Sequence, residues 1–163
     1  MDVIIMELTT SLVKKLASTR PTTPSGKTIS FAQGDGFYWS PKSMTVFYDS
    51  THKNGQQLLM HELGHALLGH GSYSRDIELI GMERAAWEHA LTLGAQYSVD
   101  INNDLIEEYL DSYRDWLHAR SQCPSCSSTG IQTAPQAYQC LNCSSTWRVN
   151  NARTCGLKRY KTR

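Results

Sequence analysis

Residues 61–65 read His-Glu-Leu-Gly-His. On a helix, positions i and i+4 lie one above the other on a single face. His61 and His65 therefore offer two imidazoles to one point, where a zinc ion takes each nitrogen at about 2.1 Å. Glu62 is turned about 100° from His61, so it can reach a water beside the metal without being a ligand. Zinc lowers the pKa of such a water towards about 7, and the carboxylate takes its proton. The chemistry is hydrolysis of a peptide bond whose carbonyl the metal polarises. The flanks (Leu58, Leu59, Met60; Ala66, Leu67, Leu68) are apolar, which suits a half-buried, water-poor site.

A catalytic zinc takes a third protein ligand, and three residues compete for the role. His70 misses the spacing H-E-x-x-H-x-x-G-x-x-H, whose last His would fall where this chain has Gly71. On a continuing helix it would be turned about 140° from His65, an objection that a helix stop at Gly69 weakens. Glu83 and Glu88 lie on the following helix. Glu83 shares a face with Leu79, Ala86, Trp87, Ala90 and Gly94, an apolar, small-residue face able to pack closely on the helix of the histidines. A carboxylate on such a face needs a partner, and zinc is one. Glu88 shares its face with Arg84 and Thr92, which reads as solvated. Glu83 is the favoured ligand.

A second constellation lies downstream. Cys123-Pro-Ser-Cys126 and Cys140-Leu-Asn-Cys143 are two C-x-x-C knuckles. Each presents two thiolates, and together they complete a closed tetrahedral Cys₄ zinc site. A closed site is structural, and it would supply much of the folding energy of a mini-domain with little apolar surface. Cys155 is left over and reads as a free, partly buried thiol.

These residues need elements to position them. Ile5, Leu8, Leu12 and Leu16 predict a helix over 5–18, ended by Pro21 and Pro24. Strand-like runs follow at 28–32 and 44–48 and suggest a hairpin or small antiparallel sheet. Helices are expected over 56–68, from an Asp76 cap to about 99, and from 103–104 to about 120. The last buries the stripe Leu105, Ile106, Tyr109, Leu110, Tyr113, Trp116 and Leu117. Stretches 130–138 and 146–149 would be ribbon strands.

The chain has 163 residues, 40% hydrophobic and 19% charged, which excludes wholesale disorder and permits a real core. No apolar stretch is long enough to span a bilayer. The N-terminus shows neither a basic n-region nor an A-x-A-like site, so no secretory signal is expected and the expected compartment is cytoplasmic. There, clustered cysteines read as metal ligands rather than disulfides. The net charge of +1 hides an asymmetry. Residues 1–120 hold ten Lys/Arg against fifteen Asp/Glu, whereas 121–163 hold six Lys/Arg and no acidic residue. Charge and cysteine content change together, which sets a domain boundary near residue 120. A ribbon over 121–150 and a basic tail over 151–163 follow. Arg148, Arg153, Lys158, Arg159, Lys161 and Arg163, interleaved with Trp147 and Tyr160, form a candidate DNA or RNA contact.

The run from Gly36 to His70 (GFYWSP…MTVFYDS…LLMHELGHALLGH), followed by Glu83-Arg-Ala-Ala86-Trp87-Glu-His-Ala90, resembles the ImmA/IrrE metallopeptidases, minimal gluzincin-type zinc proteases. The resemblance covers about residues 30–95. It implies His61, His65 and Glu83 as ligands, Glu62 as general base, and an intracellular protein substrate such as a DNA-binding regulator. Ala85 stands where many members carry a second acidic residue, and the C-terminal module differs from theirs. The implied fold is α+β: a small antiparallel sheet on a helical zincin-like core over 1–120, plus the zinc ribbon. The cofactor expected is two Zn²⁺ per chain, one catalytic and one structural. Two other functions compete. A SprT-like protease acting on DNA-bound proteins also joins H-E-x-x-H to a Cys₄ ribbon, but uses a third His. A non-catalytic nucleic-acid or protein adaptor would have no need of Glu62.

Overall fold

A computed structural model of the chain describes residues 2–152 and 156–162. Among them the fold is α+β, in the order α1 (Asp2–Ser18), β1 (Ser30–Gln33), β2 (Tyr38–Ser40), β3 (Thr45–Tyr48), α2 (Gly55–Leu68), α3 (Asp76–Tyr97), α4 (Asn103–Ser121), β4 (Gly130–Ala134), β5 (Ala137–Cys140), β6 (Thr146–Val149) and β7 (Arg159–Thr162). None of these helices is long and apolar enough to cross a membrane.

Two compact units emerge. The first comprises the residues up to Gly71 together with Met82–Asn103; the second comprises Ser72–Gly81 together with the residues from Asp104 on. The division differs from a boundary at 120, because α4 and the start of α3 group with the ribbon.

In the first unit α2 is the central element, packed against α1, β2 and β3. Leu58, Leu59, Met60, His61, Leu63, Gly64, His65 and Ala66 are all buried on it. Such burial nearly all round marks a core helix rather than a surface one. Its C-terminus is closed by Gly69, whose left-handed φ of 68° lets its N–H reach the Ala66 carbonyl while the His70 N–H bonds the His65 carbonyl at 2.9 Å. A side chain is disfavoured in that conformation and glycine is not. Gly64 has a different reason to be glycine: a Cβ there would lie 2.6 Å from the Ala86 carbonyl oxygen of α3. The missing side chain is what lets α2 and α3 approach closely.

The first sheet has the order β1-β3-β2. β1 and β3, the runs expected to form a hairpin, pair in parallel, Phe31 beside Val46. The antiparallel partner of β3 is β2, an edge strand formed from the segment between the two strand-like runs. Residues 34–37 carry the chain from β1 past the position of β3 to β2, and residues 41–44 return it to β3.

In the second unit β4-β5-β6-β7 form an antiparallel sheet. Its core is Cys123, Tyr138, Cys140, Trp147 and Val149, with Leu157 packed against them. The expected basic tail is not all tail, since Arg159–Thr162 is the fourth strand, paired with β6. Asp76 does not cap α3 with its side chain. Glu78 reaches back to the N–H groups of Ser74 and Arg75 at 2.8 and 3.2 Å. The Asp76 carboxylate instead accepts from the buried Arg120 Nε at 2.6 Å and from the Tyr138 hydroxyl.

Candidate metal centre

His61 and His65 lie on α2, one turn apart, and Glu83 on α3; all three are buried. Glu83 Oε2 is 3.1 Å from His61 Nε2 and 3.5 Å from His65 Nε2, and the two Nε2 atoms are 3.2 Å apart. Donors about 2.1 Å from a tetrahedral ion stand about 3.4 Å from each other. The triangle therefore has the size a zinc ion requires. The donor set fits as well: one carboxylate oxygen and two imidazole nitrogens, all from buried residues, are ligand types that zinc takes. Burial on its own would push the Glu83 carboxyl up, but hydrogen bonds and charge from His61 and His65 outweigh it and hold the group well below the usual carboxylate range. Among the described residues the cluster has three protein ligand atoms, one fewer than a closed structural zinc.

The helix faces expected from the sequence are the ones observed. Ala86, Trp87, Ala90 and Gly94 are buried with Glu83, whereas Glu88 is exposed and pairs with Arg84 at 3.1 Å. The His61 ring stacks on Trp87, centroids 4.2 Å apart.

Glu62 is not part of the triangle. Its Oε2 accepts the backbone N–H of Trp39 at 2.9 Å, which ties one carboxylate oxygen to the edge strand β2. Burial pushes its pKa up, against the opposing pull of His61 and His65.

His70 approaches His65 from the side away from the triangle. Once Gly69 reverses the chain, His70 Nδ1 comes to 2.9 Å from His65 Nδ1. Burial, with His65 close by, lowers its pKa to about 4, so the ring is neutral near pH 7 and free to accept. The Trp39 indole N–H bonds the His70 carbonyl at 2.9 Å. Sequence reasoning passed over Trp39. Its bond to Glu62 comes from the main chain, which no residue pattern announces.

The four ribbon cysteines also converge. Cys123 Sγ lies 3.6 Å from Cys143 Sγ, and Cys126 Sγ 3.5 Å from Cys140 Sγ. At about 2.3 Å per Zn–S bond a tetrahedron has edges of about 3.8 Å, so the set fits a single ion. The thiols are free rather than bridged. Each knuckle closes the same way: Cys123 N–H bonds Ser128 O and Cys140 N–H bonds Ser145 O, both at 2.8 Å, with Ser127 and Ser144 at φ near 60°. Hydrogen bonds from Ser128 pull the Cys126 thiol down to about 5, within reach of the thiolate a metal needs.

Of the candidate nucleic-acid residues, Arg148, Lys158, Arg159 and Lys161 are exposed. Arg159 is already engaged, its Nη1 donating to the Gln122 carbonyl at 2.9 Å. Arg153, Arg163 and Cys155 lie outside the described residues. Trp147 leaves this group. It is fully buried and its indole donates to the Arg120 carbonyl at 2.9 Å, because alternation along β6 turns it to the core and Arg148 to solvent.

No family model, curated protein or solved structure matches the chain.

Proposed function

We propose that the chain is a zinc-dependent endopeptidase acting on an intracellular protein, with a structural zinc in the ribbon. The observation that carries this reading is the convergence of His61 Nε2, His65 Nε2 and Glu83 Oε2 within 3.1–3.5 Å of one another, three donors with the acid of Glu62 beside them. A zinc ion held there supplies Lewis acidity, polarising a peptide carbonyl and acidifying a water. The chain's own residues do the rest. Glu62 takes a proton from the attacking water and passes it to the leaving amine. The Trp39 N–H fixes one oxygen of that carboxylate and leaves the other to act. The buried flanks of α2 keep bulk water away. Glu83 rather than His70 as third donor favours the gluzincin-type reading over the SprT-like one.

The ribbon centre offers four ligands and so contributes folding energy rather than chemistry. Exposed Arg148 and Tyr160, opposite each other in the register, give the ribbon a face suited to a nucleic acid carrying the substrate, and exposed Lys158 and Lys161 add positive charge to the same module. Cysteines paired to a metal and not to each other fit a reducing compartment such as the cytoplasm.

The test compares wild type with Glu62→Gln in cells and asks which protein's fragments disappear. The variant is expected to stay folded, to retain two zinc ions per chain and to lose cleavage. Cleavage undiminished by the variant overturns the mechanism; two metals with no cleaved protein in either leaves the adaptor reading standing.

A further inference from the structure

Next to Trp39 and His70 the first unit carries a cavity of about 240 Å³, lined by the apolar Pro24, Trp39, Pro41, Met44 and Leu68 with His70 at its wall. Two of these residues already belong to the site: Trp39 holds Glu62 through its N–H, and His70 meets His65. We propose that this cavity receives one uncharged, apolar side chain of the substrate polypeptide, leucine- or phenylalanine-sized, close to the bond that is cut. The proposal rests on the peptidase reading above and names the substrate feature that reading lacks.

Five observations carry it. The lining holds no Asp, Glu, Lys or Arg, so a charged side chain would lose its hydration without gaining a partner. The hydroxyls at the rim are occupied with each other, Thr23 Oγ1 and Ser25 Oγ lying 2.9 Å apart, which leaves little polar demand inside. The volume falls below the range of about 300–1,000 Å³ typical of whole small-molecule sites and suits a single side chain. The wall is also built under strain: Met44 is a non-glycine residue at φ 53°, a conformation that persists where the surrounding structure requires it. Trp39 stiffens the other wall, since its indole is fastened to the His70 carbonyl.

The test uses the full-length, zinc-loaded protein, labelled with ¹⁵N. N-acetyl-leucinamide is titrated in, with the corresponding aspartate amide as control, and the indole N–H signal of Trp39 is followed. A saturable shift with the leucine probe and none with the acidic one is expected, in wild type and in Glu62→Gln alike. Leu68→Trp, at a half-exposed position on the rim, fills the cavity and should weaken leucinamide binding by about tenfold or more with zinc content unchanged. Leu68→Glu serves the same purpose by charge. Equal shifts from both probes, or no shift from the leucine probe, overturn the pocket. So do Glu62-dependent cleavage sites that lack an apolar residue near the cut bond, an outcome that leaves the peptidase reading intact. Leucinamide binding in a chain that cleaves nothing supports the pocket and removes the peptidase.

Discussion

His70 and His65 meet nitrogen to nitrogen, Nδ1 to Nδ1 at 2.9 Å. Only one of two facing ring nitrogens can carry the proton. His65 turns its Nε2 towards Glu83 and His61, so a metal there leaves the proton on Nδ1, and His70 accepts it. A partner of this kind fixes the tautomer and orientation of the ligand, and losing it typically lowers metal affinity 10–100-fold. His70→Ala should therefore weaken zinc binding at the His₂Glu centre by about that factor, read by competition with a chromogenic chelator, while the ribbon ion stays put. His70→Asn, which keeps an acceptor, should recover part of the loss. Unchanged affinity in His70→Ala would remove the role.

Glu83→Ala takes away the only carboxylate of the triangle. Two imidazoles alone hold zinc weakly, so metal content after dialysis should fall from two ions per chain to one. The remaining ion should resist removal until thiol reagents attack the knuckles. Two ions retained in Glu83→Ala would show that the third ligand is another residue.

Gly64→Ala places a methyl where only 2.6 Å separates it from the Ala86 carbonyl. That neighbour is main chain on α3, so the helices must separate. Overpacking of this kind costs about 1–3 kcal/mol, which urea denaturation would measure. Zinc affinity should drop alongside, because the same displacement moves Glu83 away from the histidines. Stability equal to wild type would mean that the helix pair yields more easily than its packing indicates.

Tyr138 gives a pH signature. Burial, and then its bond to the Asp76 carboxylate, raise its pKa well above the ordinary value near 10. A group whose folded pKa is raised contributes stability below its unfolded pKa and loses it as pH climbs towards the folded one. The second unit should therefore lose stability above about pH 10 as the unfolded tyrosine ionises first. Tyr138→Phe should be less stable at pH 7, where the Asp76 bond is gone, yet fall less steeply in alkali. Parallel alkaline profiles for the two proteins would contradict the assignment.

The triangle was legible because its information is local. The spacing of His61 and His65 and the small, apolar face around Glu83 are properties of single helices. The knuckles are equally self-contained. What escaped depends on pairings between distant segments. Phe31 and Val46 could have met in either direction, and no alternation of residue types says that Tyr38–Ser40 will take the antiparallel edge. Asp76 looked like a helix cap because nothing nearby announces Arg120, 44 residues on. The basic end read as a tail because nothing in its residues announces that Arg159–Thr162 will pair with β6, and Trp147 read as part of the basic, aromatic stretch until alternation along β6 turned it inward.

The tether on Glu62 comes from the peptide group of residue 39, not from an indole. Any amino acid except proline could make it, so mutation and drift at that position would leave the grip on the carboxylate untouched. Whatever selection acts on tryptophan there must act through the ring, by way of the His70 carbonyl and the cavity it walls. A library randomised at position 39 would separate the two duties: variants that still orient the acid but no longer shape the chamber beside it.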